Sequence, residues 1–149
     1  MTGTNEKILE RLKRLEREVE RLRVKEKQVF VPLTTPLKST TWDGDAFSTA
    51  AKTLIDLSAV FGAPAGIKAV LLFVGVKDSG SAGTDTYFIV GPTKVDYAGM
   101  ACQPGEINDR TNRFSIVVPC DANGDIYYQI MASGPGTFDI TMQIWGYWL

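Results

Sequence analysis

The residues that could do chemistry are few, and their spacing argues against most of it. The sequence contains no histidine, which removes the usual base for a serine or cysteine nucleophile and the commonest transition-metal ligand. Two acidic pairs, Asp43 with Asp45 and Glu106 with Asp109, have the residue types of a glycosidase, in which one carboxyl protonates the leaving oxygen while the other attacks or activates water. Both pairs stand among turn formers, where an aspartate typically bonds its own backbone, so neither is assigned an acid–base role. Asp121, Asn123 and Asp125 have the opening spacing of a calcium loop, but Ile126 stands where that loop needs glycine and Ala132 where it needs glutamate. The glycines at 80, 83 and 91 lack the lysine and following helix of a phosphate-binding loop. The expectation is a chain that is not an enzyme, with no cofactor and no metal site.

The remaining chemistry is recognition by flat rings. Trp42, Tyr97, Trp145, Tyr147 and Trp148 carry aromatic faces that can pack on the apolar side of a sugar while nearby Asp, Asn or Gln groups bond its hydroxyls. Trp42 and Tyr97 fall in loop-like stretches and are the candidate ligand-binding residues. Trp145 and Trp148 lie on a terminal strand and are expected to act in packing. Cys102 and Cys120 fit reduced thiols, with a bridge between them left open by their spacing.

These residues must be positioned by two unlike segments. In residues 1–29, Ile8, Leu12, Leu15, Val19 and Leu22 recur in steps of four, three, four and three, which keeps a seam on one side of a helix. On a heptad, Leu12 and Val19 take a positions and Ile8, Leu15, Leu22 and Val29 take d positions. A stripe this narrow among Glu, Arg and Lys cannot be buried by its own helix, so another copy must cover it. Arg11 and Glu18 fall at g, Glu16 and Arg23 at e, so a parallel, in-register bundle sets Arg11 against Glu16 and Glu18 against Arg23. Such exposed pairs contribute a few tenths of a kcal/mol each and select orientation more than they supply stability. Leu at a with Ile at d leans away from a dimer and admits a trimer or a tetramer. The run Arg11-Leu12-Lys13-Arg14-Leu15-Glu16 resembles the trimerisation motif of short parallel three-stranded coiled coils, and that resemblance implies a homotrimer.

Charge follows the same division. Residues 1–29 hold nine Lys or Arg against six Glu, and residues 30–149 hold seven basic against eleven acidic side chains. The basic residues of the first segment are interleaved with glutamate at helical spacing, which reads as a solvated helix face and not as a phosphate-binding surface, so no nucleic-acid partner is expected. The start lacks the basic and apolar regions of a signal peptide, and the apolar run Ala69–Val76 is too short to span a bilayer. A protein made and folded in a cytoplasm, without membrane insertion, is expected.

From Phe30 the composition turns to β-branched residues, and Pro32 and Pro36 forbid further helix. Residues 30–149 read as one β-domain with strands over 53–58, 67–77, 86–90, 114–118, 126–131 and 137–149, and a helical turn near Asp45–Lys52. The run Ala69–Val76 is apolar on both faces and predicts a central strand covered on both sides. Asn123-Gly124 predicts a type I′ hairpin joining the strands on either side. Short strands, frequent turns and little helix point to an antiparallel sandwich of jelly-roll type.

A short parallel coiled coil leading into a β-head, together with Asp56-Leu57-Ser58, Ala63–Leu72 and Ile144-Trp145-Gly146-Tyr147-Trp148, resembles the fibre and spike proteins of tailed bacteriophages. The resemblance implies a virion structural protein, either a tail fibre, a tail-tip component or a capsid spike. Its implied partners are its own copies, other virion proteins and a glycan or protein of the host surface. A free carbohydrate-binding trimer and an architectural capsid decoration are the alternatives.

Overall fold

The computed structural model describes residues 3–24, 28–39, 41–42, 51–79, 87–102, 109–131 and 138–149. Helix α1, Gly3–Val24, is the charged, heptad-patterned segment, with Glu6 in its first turn, where a negative charge meets the positive end of the helix dipole. Ile8, Leu12, Leu15 and Val19 are between 50% and 58% exposed in the single chain. The side chains of Leu22 and Arg23 lie outside the described residues. Among those residues, no helix is long and apolar enough to cross a membrane.

The rest of the described residues are mainly strand, in two antiparallel sheets of four. Strands β1 (Phe30–Lys38), β8 (Phe138–Trp148), β3 (Ala69–Asp78) and β6 (Thr111–Pro119) form the first sheet in that spatial order. Strands β2 (Thr53–Ile55), β7 (Ile126–Met131), β4 (Tyr87–Gly91) and β5 (Gly99–Cys102) form the second. The pairings have a simple origin: β1 lies on β8, β2 on β7, β3 on β6 and β4 on β5. A single long antiparallel ribbon with β4 and β5 at its closed end gives all four pairs. Rolling that ribbon adds the contacts of β3 with β8 and of β4 with β7, which complete the sheets.

The core lies between the sheets because alternation turns every second residue inward. Val70, Leu72, Val74 and Val76 of β3 are fully buried, as are Phe88 of β4 and Ile126 of β7. Phe138, Ile140, Met142 and Ile144 of β8 join them, as their spacing predicts. The other face of β3 departs from expectation. Ala69, Leu71 and Phe73 are only partly covered, so β3 is central within its sheet but carries nothing over its outer face among the described residues. In β8 one extra residue, Trp145, is inserted opposite the step from Leu71 to Leu72. A bulge of this kind shifts the alternation, so Ile144 stays inward, Trp145 turns outward and Tyr147 packs back onto the core.

Three local readings are corrected. Residues 30–38 form a strand where two prolines suggested only a boundary; β1 sits at the edge of its sheet, where proline is tolerated. The segment read as a strand to Ser58 stops at Ile55 and becomes a short helix, α2 (Leu57–Phe61), which buries Leu57 and Phe61. Its limits are set by caps: the Asp56 carboxylate accepts the Ala59 N–H at 2.8 Å, and Gly62 ends it with φ 72°. Residues 121–125 do not make a hairpin, because β6 and β7 belong to different sheets. The Asp121 carboxylate accepts N–H groups from Asn123 at 2.9 Å and Asp125 at 3.0 Å, a self-bonded turn that carries the chain across the sandwich. Among the described residues only Asp109, outside the glycines, has a positive φ, so Asn123 lacks the conformation that a type I′ turn requires. Of the helical turn expected near Asp45–Lys52, residues 45–50 lie outside the described residues, and residues 51–52 are not helical.

Candidate functional site

The two aromatic candidates are placed at different parts of the head. After β1, Ser39 Oγ accepts the N–H groups of Thr41 at 3.1 Å and Trp42 at 2.7 Å, a side-chain turn that swings the indole between the sheets. Its ring lies 5.6 Å from that of Tyr128, edge to face, and 6.4 Å from those of Phe61 and Phe88. Trp42 is therefore part of the aromatic packing that closes one side of the sandwich. Its Nε1–H is buried with no acceptor among the described residues. The remaining edge of the ring lines a cavity of about 300 Å³ with Lys38, Ser39 and residues 140–143 of β8, beside the point where β1 ends opposite Gln143.

Tyr97 is the exposed candidate, at 65%. Its position is built from below by Lys52, which immediately precedes β2 and is 96% covered, with 4% of its surface open. The Lys52 ammonium donates to the carbonyls of Thr93, at 3.3 Å, and Asp96, and lies 4.1 Å from the centre of the Tyr97 ring. One ring face is thus taken by a cation–π contact. Burial lowers the Lys52 pKa below that of an ordinary lysine, and the Asp96 charge opposes the shift. The 93–96 turn is also internally tied: Thr93 Oγ1 donates to the Asp96 carboxylate at 2.6 Å and accepts the Asp96 N–H at 2.9 Å. Gly91 is required beneath it, since a Cβ there would run into the Asp96 carbonyl.

With Tyr87, Ile89, Ala98 and Gly99, Tyr97 lines an open depression of about 510 Å³ on the outer face of the second sheet. Register continues this face through Gln129, opposite Ile89, and Tyr127, opposite Gly91. The arrangement offers flat rings with polar tips on a rigid sheet, suited to stacking on a ligand and bonding its hydroxyls. Sequence reading singled out Tyr97 as a candidate but not Lys52 or Tyr87. No local signal marks them, because the pairing of β4 with β5 and the fold of the 93–96 turn bring them together.

Other candidate chemistry is not assembled. Asp43, Asp45 and Glu106 lie outside the described residues, and Asp109 pairs with Lys77 at 3.3 Å. Among the described residues, no group of three His, Cys, Asp or Glu could hold a metal. Asp125 is committed to structure: its carboxylate accepts the N–H of Leu57, which starts α2, at 3.1 Å. Cys120 is a free thiol, its pKa pushed up to about 12 by burial and by the charges of Asp121 and Asp125. Of the expected tryptophans, Trp145 is 38% exposed on the outer face of the first sheet, and Trp148 lies on the same face against Phe30. No protein-family model matches the chain, and no curated protein matches it.

Proposed function

We propose that the chain is a non-enzymatic structural protein of a tailed-phage particle, a tail fibre, tail-tip or capsid spike component, that presents a trimeric β-head to the host surface. The observation that carries this reading is the row Ile8, Leu12, Leu15 and Val19, left half-exposed along a charged helix. Burying a side chain of this kind is worth roughly 1.5–3 kcal/mol, so the row is a strong drive to associate. The flanking Arg11, Glu16, Glu18 and Arg23 favour parallel, in-register neighbours. The two interleaved sheets support the jelly-roll form of the head, since their strand order is the one an eight-stranded rolled ribbon produces. Three copies in parallel project three heads in one direction, which multiplies weak contacts of each head into firm attachment. The Tyr97 shelf supplies each head with a ligand-sized aromatic surface.

Immunogold labelling of purified particles with antibody against the chain tests the particle assignment, and competition of host adsorption by the purified protein tests attachment. Labelled particles whose adsorption falls in the presence of the protein are expected. Particles that carry no label, from a preparation in which the chain is expressed, would overturn the reading.

A further inference from the structure

The outer face of the first sheet is divided along its length. Register places Phe30, Trp148, Ala69 and Pro119 side by side in one row across all four strands. The next row on the same face holds Pro32, Gly146, Leu71 and Val117, with Trp145 standing out of the bulge beside them. Nothing in either row is charged. Val117 is 48% exposed, Phe30 39% and Trp145 38%. At the far end of the same sheet the outer face turns polar: Gly75 is flanked by Arg113 and Thr141, and Lys77 pairs with Asp109 at 3.3 Å and Asp139 at 4.0 Å. An apolar surface running across four strands is larger than single exposed side chains require, and tryptophan with phenylalanine within it is the composition of a protein interface.

The chain itself indicates the occupant. The apolar end of the sheet is the end at which β1 begins, at Phe30, and α1 ends at Val24. Six residues of chain reach at most about 20 Å. If the helices of several copies lie together, as the proposed function requires, their Phe30 residues are held within a short distance of the common axis, and the apolar ends of the sheets converge with them. Val29, 54% exposed, adds a further uncovered apolar side chain immediately before this surface. We infer that the apolar half of this outer face, centred on Trp145, Leu71 and Val117, is the head-to-head interface between copies of this chain, while the opposite sheet with Tyr97 stays open to ligand.

Hydroxyl-radical footprinting of the intact protein, read by mass spectrometry beside its mass from light scattering, tests this inference and separates it from the stalk reading on which it rests. In a trimer, Trp145 should label at least about five times more slowly than in Val117→Glu, whose introduced charge breaks an apolar contact surface, while Tyr97 labels alike in both. A trimeric mass with equal labelling of Trp145 in the two proteins would overturn the head interface and leave the stalk intact. A monomeric mass for the wild type would overturn both. Val117 is half-exposed on an outer face, so the folded head should survive the substitution. If its β-signal is lost, labelling of Trp145 relative to Tyr97 in the wild type decides: strong protection of Trp145 alone upholds the interface, and comparable labelling overturns it.

Discussion

The ring of Phe30 lies 4.5 Å from that of Trp148, tilted by 40°, so the first residue of the head's first strand is held against the last residue of its last strand. The Leu149 N–H donates to the Val29 carbonyl at 3.1 Å beside this contact. Gly146 makes room for it, since a Cβ there would lie 2.5 Å from the Phe30 ring. The strand that follows the helix is thereby fastened to β8, inside the first sheet.

A double-mutant cycle over Phe30→Ala and Trp148→Ala should give a coupling of about 0.5–1.5 kcal/mol in thermal or urea unfolding. Additive losses would mean that the two rings do not support each other.

Removing the Asp125 side chain should leave the Leu57 N–H without its acceptor at the start of α2. Asp125→Ala is expected to lose about 1–3 kcal/mol. Asp125→Asn keeps an acceptor without the charge. Burial raises the Asp125 pKa in the folded protein, against the Leu57 hydrogen bond, with the charges of Asp56 and Asp121 adding to the rise. A raised folded pKa means that the wild-type carboxyl favours folding below its unfolded pKa and loses that contribution as pH rises through the folded value. The Asn variant should therefore gain on the wild type between acid and neutral pH, as read by urea midpoints; a constant difference would contradict this.

At Asp56 the sign is opposite. The Ala59 N–H and the Ser58 hydroxyl lower its pKa, so its contribution is present above the unfolded pKa and disappears as pH falls through the depressed folded value. Asp56→Asn, which caps without charge, should flatten this acid limb of the stability curve. An unchanged limb would remove Asp56 from the account.

Cys120 should be slow to alkylate. Its thiol is raised to about 12 from 9.0, which leaves on the order of a thousandth of the normal thiolate at mildly alkaline pH. Peptide mass spectrometry after a short iodoacetamide pulse should find Cys120 modified at least about 100 times faster in urea than in the native protein. Equal rates would show that the thiol is open to solvent.

Trp42→Ala and Tyr97→Ala should part company. The Trp42 ring fills the space among Phe61, Phe88 and Tyr128, so its loss is expected to lower stability by about 3–5 kcal/mol. Tyr97 is open to solvent over most of its surface, and its removal should change the melting temperature little while weakening host adsorption. Gly91→Ala should disturb the same site from beneath by displacing the Asp96 carbonyl.

What could be read from the sequence was whatever depends on local period. The helix α1 and the inward row of β8 follow from period alone, and β7 was placed at its observed limits. Strand β3, apolar on both faces, gave no sign that one face would stay partly open. Partnership between strands was not legible. Asn123-Gly124 has hairpin residues, yet a turn that crosses between sheets and one that returns beside its own strand use the same chemistry. β1 was obscured by Pro32 and Pro36, which an edge strand accepts, and α2 by its five-residue length, in which only Asp56 and Gly62 mark the ends. Trp42 was legible as a loop residue, but the Ser39 turn that sends its ring inward was not. Lys52 meets Tyr97 only because the roll brings the start of β2 under the 93–96 turn.

Leu15→Asp would place a charge in the proposed seam between copies, where an unpaired charge is strongly unfavourable. It should reduce helix signal and separate at least the helices, with the β-signal retained. Unchanged helicity and thermal stability would mean that α1 forms no shared core.

The most direct measurement is the mass of the intact protein in solution. Light scattering at micromolar concentration should give three times the 16.3 kDa of one chain. A mass of one or two chains at that concentration would contradict the trimeric display on which the proposed function stands.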